Sequence, residues 1–191
     1  MKFIFILTIS LLGFSAHSEE ITCRRPMYNQ SEWSFPNCAR KLSTGEWEYK
    51  KELLGKLNFG KNNLAPVCID NDNGCYWVNR DGKMAQVLGI EGSADDFSQG
   101  LARHKKNGKI GFIDESLKIV ITPKYDFAFP FEGNQTAAVC TGCKDASGPN
   151  DDHGKLVGGS WYLINKSGKV LKSCGSIEGP TALPPVNCTK N

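Results

Sequence analysis

Histidine is scarce in this chain, and one of the three, His17, falls close to the N-terminus. That leaves His104 and His153 as the imidazoles open to a charge relay. No nucleophile elbow, phosphate-cradling glycine loop or HExxH pair occurs. His104 stands beside Lys105 and Lys106, where the spacing described below predicts an ordinary strand. Long apolar runs are missing after Phe14, so no later segment reaches the length of a membrane span. Blocks of one charge are missing too: 23 Lys and Arg face 20 Asp and Glu, and the net charge of +3 is scattered along the chain. That pattern speaks against a phosphate-tracking stripe, so nucleic acid is not an expected partner. No catalytic residue, cofactor or resident metal is expected.

What is present begins with an address. Met1-Lys2 supplies a positive charge, Phe3 to Phe14 is apolar apart from Thr8, Ser10 and Gly13, and Ala16 and Ser18 are small. This is the order of a secretory signal peptide cleaved near Ser18, with Glu19 opening a periplasmic or secreted chain. An apolar run of about a dozen residues is too short to span a hydrocarbon core of ~30 Å, so stable membrane insertion is not expected. All eight cysteines lie beyond the cut. An even number in an exported chain reads as disulfides. Connectivity is open from sequence; neighbours suggest Cys23–Cys38, Cys68–Cys75, Cys140–Cys143 and Cys174–Cys188.

A short element recurs: bulky apolar residues, Asn or Asp, two variable residues, a turn position, then Lys. It stands at Tyr76-Trp77-Val78-Asn79-Arg80-Asp81-Gly82-Lys83, at Gly111-Phe112-Ile113-Asp114-Glu115-Ser116-Leu117-Lys118, and at Tyr162-Leu163-Ile164-Asn165-Lys166-Ser167-Gly168-Lys169. This reads as a hairpin, in which Asn or Asp opens the turn and Gly supplies positive φ. Leu117 replaces the glycine, so the middle turn is expected to close by another route. A second element, an aromatic followed by Gly and then Ala opening a strand, recurs at Phe59-Gly60 with Ala65, Phe97 with Gly100 and Ala102, and Phe131 with Gly133 and Ala137. Ala65 to Ala102 is 37 positions, while Ala102 to Ala137 and Asn79 to Asp114 are each 35. The matching phases define a repeat. The interval from Asp114 to Asn165 is 51 positions, and its excess falls in Cys140 to Gly159, which reads as an inserted surface loop.

Ile110-Gly111-Phe112-Ile113-Asp114, followed by Ile119-Val120-Ile121-Thr122-Pro123-Lys124-Tyr125-Asp126, Phe131, Gly133 and Ala137-Ala138-Val139, resembles the WG-repeat (KWG-repeat) family of bacterial proteins. The resemblance covers about residues 57 to 172; the first copy lacks Pro-x-Tyr-Asp, and the third has Tyr162 in place of glycine. It implies an all-β array of antiparallel hairpin or meander repeats, here pinned by disulfides and preceded by a less regular N-terminal segment. The expected divisions are a signal peptide at 1–18, a cap at 19–56, repeats at 57–172 and a disulfide-tethered tail at 173–191. Glu46 to Leu57 fits a helix or a strand equally well. The tail, with Pro180, Pro184 and Pro185, is expected to be an irregular strap.

The remaining signals each have a plain structural reading beside a chemical one. Cys140-Thr141-Gly142-Cys143 could be a redox dithiol, which needs a helix N-terminus, or a zinc half-site, which needs His153 or more thiols. Ending a strand and entering a loop, it is better read as a structural disulfide. Asp70 to Gly74 resembles a calcium loop but has Cys75 and Asp81 where an EF-hand requires Gly and Glu. Asp95, Asp96, Asp151 and Asp152 could supply an acid pair. Trp77, Phe112, Tyr125, Phe131 and Trp161 share repeat positions and are expected in the core; Trp33 and Trp47 are expected at an end or a contact surface. Small exported members of the resembled family look like immunity proteins for type VI secretion effectors, notably phospholipases. The resemblance thus implies a protein partner, a secreted toxin, held by the loop residues Lys144, Asp151, Asp152, His153 and Lys155 and by turn residues Arg80 and Asp81. The alternative is an envelope structural module, or one that binds glycan or lipid.

Overall fold

The computed structural model describes residues 21–24, 34–70, 74–90, 92–147 and 154–189. The signal peptide, Trp33, and the loop residues Asp151, Asp152 and His153 therefore lie outside the described residues. Along the chain run β1 (Thr22–Arg24), β2 (Ser34–Pro36), β3 (Ala39–Lys41) and β4 (Trp47–Tyr49), then a 3-10 helix (Lys51–Lys56). There follow β5 (Leu64–Ile69), β6 (Gly74–Asn79), β7 (Met84–Val87), β8 (Gly89–Ile90), β9 (Ser93–Ala94), β10 (Leu101–Lys106), β11 (Lys109–Asp114) and β12 (Ile119–Tyr125). The chain ends with β13 (Phe127–Ala128), β14 (Thr136–Asp145), β15 (Leu156–Asn165), β16 (Val170–Thr181) and a helical turn, α1 (Val186–Thr189). The ambiguous segment from Glu46 to Leu57 holds both a strand and a short helix.

Every pairing among these strands is antiparallel. One sheet runs β12-β11-β10-β7-β6-β5-β1-β2, a second β13-β14-β15-β16, and β3-β4 and β8-β9 form two small hairpins. The fold is all-β, as the family resemblance implies.

One turn builds much of it. At Asn79 the backbone N–H donates to Lys83 O at 3.0 Å, and Gly82 N–H donates back to Asn79 O at 3.0 Å. The same two bonds close Leu42–Glu46, Gly60–Leu64, Asp114–Lys118, Glu132–Thr136 and Asn165–Lys169. In each the fourth residue is left-handed: Gly45, Asn63, Gly82, Leu117, Gln135 and Gly168, with φ from 57 to 87°. This is the three-residue hairpin loop in which a type I turn ends in a left-handed residue. In the Lys-ended copies Asn79, Asp114 and Asn165 also accept, through Oδ1, the N–H groups two and four residues on. The expectation for Leu117 is corrected: its turn closes by the same route, at φ 57°, because the side chain is buried at 3% exposure and anchors it.

Gly111 shows why a glycine follows the first repeat position. β11 and β12 slip register there, and a Cβ on Gly111 would lie 2.2 Å from Ile121 O and 2.6 Å from Pro123 N. The aromatic positions are core: Phe112, Tyr125, Phe131 and Trp161 are buried. Phe112 meets Phe131 edge-on at 4.7 Å, and Trp161 lies 6.4 Å from Phe127 and 6.0 Å from Phe129. Trp77 is half-buried against Phe97, and its Nε1–H donates to Asp95 O at 2.8 Å.

Two expectations for the C-terminal half are overturned. The strand does not end at the CxxC motif: β14 runs through it to Asp145, with Gly142 at φ 77° and the pairing to β15 kept in register on either side of it. The tail is no irregular strap either. β16 pairs with β15 as far as Thr181, and α1 brings Cys188 to Cys174. The prolines fall at the end of β16 and in the connection after it, where a missing N–H is tolerated.

Candidate functional site

All four neighbouring cysteine pairs are bridged. Cα separations are 5.8 Å for Cys23–Cys38, 4.0 Å for Cys68–Cys75, 6.1 Å for Cys140–Cys143 and 5.2 Å for Cys174–Cys188. Cys68 and Cys75 sit opposite one another in the β5–β6 ladder. Cys140 and Cys143 share a strand rather than a helix N-terminus, so the usual means of activating a dithiol is lacking. Among the described residues no three His, Cys, Asp or Glu side chains gather closely enough to hold a metal ion. Asp70, of the calcium-like run, is instead held by Arg24 at 2.6 Å. Asp95 is buried and committed: its carboxylate takes Nε and Nη2 of buried Arg103 and the Arg103 N–H, while Nη1 donates to Ala128 O at 3.2 Å. Asp96 is exposed.

The predicted contact residues fall on two separate elements. Arg80 and Asp81 are exposed on the β6–β7 turn. Arg80 lies over the Phe59 ring at 4.5 Å and donates through Nε to Asn63 Oδ1 at 2.8 Å, so it also ties two adjacent turns together. Lys144 and Lys155 belong to the β14–β15 arm. Both strands are ten residues long, and the pairing runs from Thr136↔Asn165 out to Asp145↔Leu156. Past the strands, Ala146 N–H donates to Lys155 O and Lys155 N–H to Ser147 Oγ, each at 2.7 Å, so the ladder persists into the loop. The insertion foreseen as a loop is thus mostly a stiff hairpin, and Lys144 and Lys155 are exposed near its end. Asp126 anchors its base, accepting from Lys109 Nζ and from Gly142 N–H at 2.7 Å. Those two donors hold its carboxyl below the usual range.

A second feature escaped the sequence. The outer edge of β7 is shared by two strands that diverge. β4 meets it at Lys83, where Tyr49 N–H donates to Gly82 O at 2.8 Å; β10 meets it at Val87, where Leu88 N–H donates to Arg103 O at 3.0 Å. Between them, beside Met84–Gln86, opens a cleft of about 510 Å³. Its walls carry Lys41, Lys83, Lys105, Lys106 and Lys118, with Glu46 as the one carboxylate among the described residues, over Trp47, Tyr76, Met84 and Leu117. His104 closes the inner end: Nδ1 lies 2.5 Å from Gln86 O, so this nitrogen carries the proton and Nε2 is left as an acceptor. Burial, and then Lys106, pull the His104 pKa below its ordinary value against the opposing effects of Gln86 and Glu46, keeping the ring neutral. Lys83 and Lys118 occupy the last position of the repeat turn, which was visible in the sequence. Their convergence with Lys41 and Lys106 depends on β4 reaching β7, which was not.

No curated protein and no solved structure matches the chain. The family model described as WG containing repeat matches residues 110–142, from the second residue of β11 through β12 and β13 into β14 as far as Gly142. With the Gly111 contact and the repeated turn, this supports the WG-repeat family for that part of the chain.

Proposed function

We propose that this protein is an exported, non-catalytic binding protein that holds a protein partner on the β14–β15 arm. The observation that carries the reading is the construction of that arm. An insertion relative to the repeat period is built as a ten-residue ladder with a disulfide within one strand and exposed lysines near its end. A surface already ordered before contact loses little entropy on binding, which favours tight association. The leader-like N-terminus and fully paired cysteines suit an oxidising compartment, the periplasm or beyond. Within the resembled family this combination points to an immunity protein that occludes an interbacterial toxin, such as a type VI phospholipase effector.

The test is capture from periplasm containing the neighbouring secreted proteins, with the oxidised protein as bait. Stoichiometric recovery of one toxin, lost on reduction and weakened in the Lys144→Glu/Lys155→Glu variant, is the expected result. Recovery of no protein, with retention on cell-wall or lipid material, would replace this reading with the envelope-module alternative.

A further inference from the structure

We propose that the cleft beside β7 is a second binding site, specific for a phosphate monoester carried on a ring- or chain-shaped body, and that it works independently of the arm and its partner. The charge distribution is the starting point. The whole chain carries +3, yet the cleft gathers five lysines and one carboxylate. Part of that charge is spoken for. Lys83 Nζ donates to Leu117 O at 2.8 Å, Lys106 pairs with Glu46 at 3.1 Å, and Lys41 lies over the Trp47 ring at 5.4 Å. Asp114, near Lys118, has its carboxylate occupied by the turn amides of Ser116 and Lys118. Lys105 makes no ion pair among the described residues. The site remains strongly cationic with these pairs formed, and an ion pair as exposed as Lys106–Glu46 yields readily to a more highly charged ligand.

The side chains also select among anions. Arginine, whose planar fork matches a carboxylate, is absent from the lining among the described residues. Lysine is a compact charge with three rotatable donors, suited to the three acceptor oxygens of a phosphate. A phosphate monoester brings roughly −1.5 to −2 at neutral pH, against −1 for a carboxylate, and so answers two lysines at once. Below the lysines, half-buried Trp47 and exposed Ile119 present apolar surface that inorganic phosphate alone would leave uncovered, with buried Tyr76, Met84 and Leu117 as the floor beneath. The volume falls within the roughly 300–1,000 Å³ usual for small-molecule sites. Neutral His104, with Nε2 as an acceptor, offers a partner for a hydroxyl on the body of the ligand.

The experiment is calorimetric titration of the oxidised protein with a hexose phosphate and with dihexanoyl phosphatidic acid, the soluble and lipid sources of the same headgroup. Glucuronate and dihexanoyl phosphatidylcholine serve as controls. At least one monoester is expected to bind about tenfold or more tightly than either control, and more weakly as salt rises. Binding of the phosphatidic acid alone would assign the lipid source, and binding of the hexose phosphate alone the soluble one. The Lys41→Glu/Lys106→Glu variant should lose about tenfold or more in affinity, and Lys144→Glu/Lys155→Glu should lose none. In the unsubstituted protein, the Trp47 indole N–H and the His104 ring signals should shift on titration. Absence of monoester binding, equal binding of glucuronate, shifts confined to other residues, or unchanged affinity in a folded cleft variant would each overturn the proposal.

Discussion

At Leu117 the backbone takes φ 57°, a region that costs a residue bearing a Cβ roughly 1–2 kcal/mol, at a position filled by Gly82 and Gly168 in the sister turns. The compensation is burial. Leu117 is 3% exposed and packs with Leu64, Ala85, Ala102 and Ile113, and removing a buried leucine side chain costs about 2–5 kcal/mol. Leu117→Gly should therefore destabilise, by about 2 kcal/mol in denaturant unfolding, although it installs the residue the turn prefers. Tyr49 is the opposite case. Its hydroxyl is fully buried with no protein acceptor among the described residues, and burial pushes its pKa up to about 12. Tyr49→Phe should leave stability unchanged or raise it by about 1 kcal/mol. His104 carries the pH dependence. Its folded pKa is lowered, so its contribution is complete above the ordinary value of about 6.5 and is lost as pH falls toward the folded value, where the unfolded chain takes up the proton first. The lowered Asp114 and Asp126 groups act in the same direction but only at more acid pH. A plot of stability against pH should fall below about pH 6.5 and flatten there in His104→Gln. These residues were unequally legible. The Asn79, Asp114 and Asn165 turn roles follow from local rules, whereas the left-handed Leu117 depends on a pocket assembled by distant strands.

Among the hairpin turns closed by a glycine at Gly45, Gly82 and Gly168, the β6–β7 turn is the most tightly constrained. Gly82 has φ 87°, and a Cβ there would stand 2.6 Å from Tyr49 O, where β4 docks; Gly45, at φ 80°, meets nothing within 4 Å. Both glycine-to-alanine changes bear the left-handed cost, but only Gly82→Ala must also push β4 away. Its loss of stability should exceed that of Gly45→Ala by at least about 1 kcal/mol, measured as a difference in denaturant midpoint at constant slope. The disulfides should rank by loop length. Cys174 and Cys188 are 14 apart in sequence and Cys140 and Cys143 three apart, so chain entropy assigns about 3 kcal/mol to the first and about 2 to the second. Paired Cys→Ala substitutions compared by thermal unfolding should keep that order. The four pairings were legible because each joins neighbours in sequence. The extent of β14, β15 and β16 was not: Gly, Asp and Ser in the insertion mimic a loop, and Gly142, Gly158 and Gly159 serve instead as left-handed positions within the long ladders.

At the scale of the whole molecule, the arm and the cleft differ in origin. The arm comes from an insertion in the repeat, so its place was visible as a break in period and only its stiffness was hidden. The cleft comes from β4 and β10 meeting one edge of β7 at different points, a non-local event to which turn chemistry and alternation give no clue. The proposal of export and partner binding rests on the leader-like N-terminus, the arm, the paired cysteines and the resembled family. The most direct measurement is titration of a purified effector encoded beside this gene with the oxidised protein, following the effector's own activity. The account predicts complete loss of activity at one equivalent, and a shift to about tenfold higher concentration for Lys144→Glu/Lys155→Glu. Full activity of every neighbouring effector in the presence of excess oxidised protein would contradict it.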